Sequence, residues 1–156
     1  MIYTAETYPF ERIYESGIAA RKRGKRAKSQ RVEYVNVVAA FDIETSVLHR
    51  MENGEDEPHA FMYVWQVAID SDVIMGRYWD EFFAFLGHVD EMCAALQESN
   101  NLDTKPYLVM FVHNLAYEFQ FLAGLYPFQP EEVFLREARK PIYARMLGCI
   151  EFRCSY

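Results

Sequence analysis

Apolar residues follow two spacings along this chain, and the points where the spacing changes mark its elements. VNVVAAF (35–41) is apolar at nearly every position, the pattern of a fully buried strand with no wet face. FMYVWQVAI (61–69) and VIMGRYW (73–79) predict two further strands. Asp70-Ser71-Asp72 between them is short enough to make them a hairpin. From about Asp80 to Glu98 the spacing becomes three and four, and Phe82, Phe83, Leu86, Val89, Cys93 and Leu96 form one apolar helical face. YLVMFV (107–112) returns to the buried-strand pattern. Asn114 suits the N-cap of a helix reaching about Ala123, which Gly124 and Pro127 end. VFL (133–135) predicts another strand, and IYARM and IEFRCSY around Leu147-Gly148 predict a closing hairpin. Two regions fall outside this pattern. HRMENGEDEPH (49–59) reads as a polar loop with an Asn-Gly turn. Residues 1–33 read as an arm, with Tyr3, Tyr8, Phe10, Ile13 and Tyr14 anchoring it on a neighbour.

Buried strand, hairpin, helix, buried strand and helix, in that order, predict one α/β domain over residues 34–156, a mixed sheet flanked by helices. At 156 residues, 51% hydrophobic and 16% aromatic, the chain can bury a real core, which excludes global disorder. Trp65, Trp79, Phe82, Phe83 and Phe85 belong to that core. No apolar run approaches the roughly 18 residues of a membrane span, and no signal-peptide pattern opens the chain. Cys93, Cys149 and Cys154 have neither C-x-x-C nor zinc-ligand spacing, so they read as reduced thiols. The expected location is therefore the cytoplasm, with no membrane partner.

Charge alters this picture in one place. The net charge of −7 hides the basic run ARKRGKRAKSQR (20–31), which holds seven of the sixteen Lys and Arg residues. Arg21, Lys22, Arg23, Lys25 and Arg26 are candidates for phosphate contact beside an acidic body. A solvated tether is the plainer reading of the same run.

Candidate chemistry lies where the two buried strands end. In FDIETS (41–46), Asp42 and Glu44 are two apart and share a strand face. Two such carboxylates repel unless cations or protons intervene, and hard divalent ions prefer oxygen ligands. A solvated strand end would look the same. FVHNLAYEFQFL (111–122) adds His113 and Asn114 at the end of the second strand and Glu118 within the following helix. If the two strands run parallel, all these residues meet at the edge where α/β sheets place ligands. The plainer alternative has Asn114 capping the helix and Glu118 complementing its dipole. Taken together, three acids and an amide outline a two-metal phosphoryl-transfer site. His49, His59 and His88 have no metal-like partners at useful spacing and read as surface or structural residues.

FDIETS followed by FVHNLAYEFQFL resembles the first and second exonuclease motifs of family B DNA polymerases, most closely the protein-primed type of phages and related mobile elements. RKPIYARMLGCIEFRCSY resembles the hairpin that follows the second motif there. The resemblance covers roughly residues 35–156 and implies an RNase H-like 3'→5' exonuclease fold, working in a bacterial host cell. It also implies that Asp42 and Glu44 are metal-binding acids and that Glu118 stands where the family usually has Asp. Mg²⁺ or Mn²⁺ would be the cofactor. By the same resemblance Thr45, His113 and Asn114 handle the 3' end of single-stranded DNA, and Tyr117 and Phe121 pack near it. The family's third motif, a Tyr and an Asp from a later helix, has no counterpart here. The expectation is thus a fold incomplete at its C-terminus and an isolated chain with little or no activity. Its partners would be single-stranded DNA and the remaining polymerase portion or a host protein. A non-catalytic phage-derived binding or inhibitor protein with the same fold is the alternative. A nuclease completed by dimerisation is a third reading.

Overall fold

The computed structural model describes residues 1–20 and 32–155, and the candidate residues Arg21, Lys22, Arg23, Lys25 and Arg26 lie outside them. Among the described residues the strands are β1 (Ile2–Tyr3), β2 (Ala39–Glu52), β3 (Glu55–Ile69), β4 (Asp72–Gly76), β5 (Leu108–Val112), β6 (Val133–Glu137), β7 (Lys140–Met146) and β8 (Ile150–Cys154). The helices are α1 (Glu11–Ser16), α2 (Trp79–Ser99) and α3 (Leu115–Ala123). All eight strands join one mixed sheet in the order β1-β4-β3-β2-β5-β8-β7-β6.

The topology follows from short and long connections. Asp70-Ser71 turns β3 back on β4, and Leu147-Gly148 turns β7 on β8, both antiparallel as their short loops require. α2 carries the chain from β4 to β5 and α3 from β5 toward β6, each a crossover between strands that run the same way, and β5 lies parallel to both β2 and β8. Ala39 pairs with Met110 and Ala40 with Phe111. The parallel alignment on which the candidate site depends is therefore present.

The core lies between the sheet and its helices. Phe82 of α2 stacks on Phe41 at 4.8 Å and tilts against Trp65 at 5.3 Å, which fixes α2 over β2 and β3. Ala116 of α3 shares a cavity with Ile142 and Cys154, which places α3 over the same face near β7 and β8. The opposite face is more open than the apolar runs suggested. VNVVAAF and YLVMFV read as strands without a wet side, yet Val38 and Ala40 are exposed and Phe111 is 41% exposed. Only alternate residues of each run, such as Ala39, Phe41, Leu108 and Met110, reach the core.

Two other segments differ from the sequence reading. HRMENGEDEPH is an extended two-stranded ribbon, because β2 and β3 stay paired out to Glu52 and Glu55. Asn53 and Gly54 close it with φ of 52° and 81°, the left-handed pair that a two-residue hairpin turn needs. Its polarity on both faces removed the alternation that would have announced a strand. The N-terminal residues are no detached arm. Ile2 and Tyr3 pair with β4, Ala5, Tyr8, Phe10 and Ile13 are buried in the domain's own core, and Phe10 meets Phe85 at 5.6 Å. The apolar anchors are used, but within the chain. Among the described residues, no helix is long and apolar enough to cross a membrane.

Candidate functional site

Asp42 sits where β2 leaves the core, half-buried, on the face opposite Phe41 and Ile43. Its cross-strand partner Gln66 donates from Nε2 to Asp42 Oδ2 at 3.2 Å, which orients the carboxylate. Glu44 follows on the same face and is exposed. The ladder then slips by one residue between Glu44 and Thr45. Such a bulge redirects the side chains beyond it. The Thr45 hydroxyl meets the Tyr117 hydroxyl at 2.5 Å, joining β2 to α3.

β5 delivers the second motif to the same edge. His113 and Asn114 follow Val112 directly and are exposed. Asn114 occupies the N-cap position of α3, but its side chain makes no capping bond; only its carbonyl serves the helix, accepting from Tyr117 N at 2.9 Å. Asn114 lines a cavity of about 240 Å³ with Arg136, Lys140 and Cys154. Capping therefore does not account for Asn114. Tyr117 packs edge-to-face on Phe121 at 5.5 Å, and Phe121 tilts toward Trp79 at 6.5 Å.

Glu118 is the most informative residue here. One helical turn into α3, it is 5% exposed, and its Oε2 is buried without a hydrogen-bond partner. Burial pushes its pKa above the ordinary carboxylate range, the Asp42 charge adds to the rise, and His113 opposes it. Asp42 and His113 thus lie near enough for their charges to act on Glu118. A buried, unpartnered carboxylate oxygen costs roughly 1–3 kcal/mol, more when charged. A cation or proton shared with Asp42 would remove that cost. The donor set is all oxygen, which suits Mg²⁺ or Mn²⁺.

Sequence reasoning missed Gln66, which only the β2–β3 register places beside Asp42. It also left His59 as a surface residue. The ribbon brings Glu52, Glu57 and His59 together with ligand atoms within 4.8 Å of one another, all exposed. No signal for that grouping exists before the register is known. No family model, curated protein or solved structure matches the chain.

Proposed function

We propose that this chain is an RNase H-like exonuclease region of the protein-primed family B DNA polymerase type, binding the 3' end of single-stranded DNA with divalent cations. The observation that carries the reading is the orphaned, buried Oε2 of Glu118, on a side chain within reach of the Asp42 charge, with β2 and β5 adjacent and parallel. The sheet order, with β2 central between an antiparallel hairpin and two parallel strands, is compatible with that fold. Asp42, Glu118 and, after a side-chain swing, exposed Glu44 would hold Mg²⁺ or Mn²⁺. Bound there, the metal would supply charge neutralisation and an activated water. Gln66 keeps Asp42 in one orientation. The Thr45–Tyr117 bond ties the β2 bulge to α3, holding Asp42 and Glu118 at one spacing. His113 and Asn114, exposed and not consumed by capping, present a ring and an amide to the terminal nucleotide.

Calorimetric titration with Mn²⁺ tests the metal assignment. Wild type should bind, Asp42→Ala and Glu118→Gln should lose at least tenfold in affinity, and Mn²⁺ at a hundredfold excess over Kd should stabilise wild type by about 2.7 kcal/mol. Equal binding by all three chains would sink the site. Binding of a 5'-labelled oligonucleotide with no 3'→5' shortening in Mn²⁺ would favour the non-catalytic binding-protein reading.

A further inference from the structure

On the open face of β7 and β8 lies a second cluster that the candidate site does not use. Glu151 is fully buried, and its carboxylate holds two guanidinium groups. Arg145 Nε donates to Oε2 at 2.8 Å, and Arg153 donates to Oε1 from Nε at 2.7 Å and also from Nη2. Three tyrosines hold the arginines in place. Arg145 lies over the rings of Tyr107 and Tyr143 at 4.5 and 4.6 Å, and Arg153 over Tyr34 at 5.6 Å. One carboxylate neutralises one guanidinium. A positive charge is left over.

The N–H groups bonded neither to Glu151 nor to Tyr34 reach solvent. A guanidinium has five donors, of which Arg145 spends one on Glu151, while Arg153 spends two on Glu151 and one, from Nη2, on the Tyr34 hydroxyl at 3.4 Å, and none of the rest is buried without a partner. The two side chains are 22% and 37% exposed. Arginine donors fixed between ring faces match phosphate oxygens and lose little entropy on binding. The surroundings favour an anion as well. Residues 133–155 carry five basic residues against Glu137 and Glu151, whereas the rest of the chain outside 21–31 carries four against twenty-one acids. Phe134, half exposed and stacked on Tyr143 at 5.6 Å, continues the aromatic row with a ring face suited to a nucleobase.

We infer that Arg145 and Arg153, held by Glu151 and the three tyrosines, form a phosphate-binding subsite on the open face of the sheet. Its source is the backbone of a single strand, an assignment that rests on the function proposed above. Arg153 pairs with Phe111, and Phe111 with Ala40, two residues before Asp42 on the same face. Two strand spacings put the subsite about 10 Å from β2. A strand entering at Asp42 and crossing β5 therefore meets it.

The test uses the full chain in EDTA, so that binding does not depend on the metal site. Arg153→Gln leaves one arginine against one glutamate, removing the surplus charge while keeping Glu151 paired. Anisotropy of labelled oligo-dT should show about tenfold weaker binding, and the slope of log K against log salt should shrink by about 0.7. Arg12→Gln, at the far edge of the sheet beside Asp72, is the control and should change neither. Affinity and slope matching the control would overturn the subsite. Should Arg153→Gln fail to fold, the unmodified chain decides by NMR of its arginine Nε–H groups, assigned with Arg145→Lys and Arg153→Lys. Shifts of both signals on adding oligo-dT support the proposal, and static signals with both oligo-dT and inorganic phosphate overturn it. Shifts with inorganic phosphate alone overturn the strand as the source and leave a site for free phosphate. Mn²⁺ binding is read separately, so loss of the metal site and loss of this one are distinct results.

Discussion

Glu118 and Glu151 are both buried carboxylates on the same domain, and their surroundings could hardly differ more. Glu151 has its two oxygens saturated by Arg145 and Arg153. Glu118 has an oxygen with no partner, and its electrostatic neighbours are another acid, Asp42, and His113. A buried charge is tolerable when it is paired, or when something outside the chain completes it. The contrast separates a carboxylate that organises neighbouring side chains from one that has an oxygen without a partner.

The largest effect should come from stripping Glu151 of its partners. Arg145→Met with Arg153→Met leaves an unpaired buried carboxylate and is expected to cost about 3–5 kcal/mol in urea unfolding. Adding Glu151→Met should recover most of that loss, since an apolar trio needs no pairing. A double variant as stable as wild type would erase the distinction drawn between the two glutamates.

Glu118 should respond in the opposite direction. Replacing it by Gln removes the buried charge and is expected to stabilise the chain by about 1–2 kcal/mol at neutral pH without metal. The sign follows from its raised pKa. The folded state binds the proton more tightly than the unfolded one, so the penalty is absent below the ordinary carboxylate value of about 4.3. It grows as pH rises through the elevated folded value. Urea midpoints of Glu118→Gln and wild type should therefore converge toward pH 4 and separate toward pH 7. A constant gap across that range would mean that Glu118 is not titrating in this way.

The smallest effect concerns the link between β2 and α3. Thr45→Val removes the hydroxyl bonded to Tyr117 and should cost about 0.5–1.5 kcal/mol, at the low end because Tyr117 is exposed. Its sharper readout is weaker Mn²⁺ binding, if the bond sets the spacing of Asp42 and Glu118. Unchanged Mn²⁺ affinity in a well-folded Thr45→Val chain would make that bond incidental to the site.

Much of this was legible without coordinates. The three- and four-residue spacing of Phe82, Leu86, Val89, Cys93 and Leu96 marked α2, and HNLAYE marked the corner between β5 and α3. Both are local signals, set by period and by turn chemistry within a dozen residues. The two i, i+2 acids likewise had to share a face, because strand geometry alternates every residue. What the chain order left open was everything that depends on distant partners. Tyr8, Phe10 and Ile13 gave no sign of whether they would dock on another molecule or on α2. The polar arms of the β2–β3 ribbon are held by backbone pairing, which no side-chain pattern reports. In IEFRC the alternation puts Glu151 on the side away from Ile150 and Phe152, where exposure is the default; two arginines and the neighbouring tyrosines bury it instead. Side-chain period and turn propensity are properties of neighbours in sequence, and they determined the elements and the corner that carries the candidate acids. Burial and charge pairing are properties of neighbours in space, so only the tertiary structure decided that Glu118 lacks a partner while Glu151 has two.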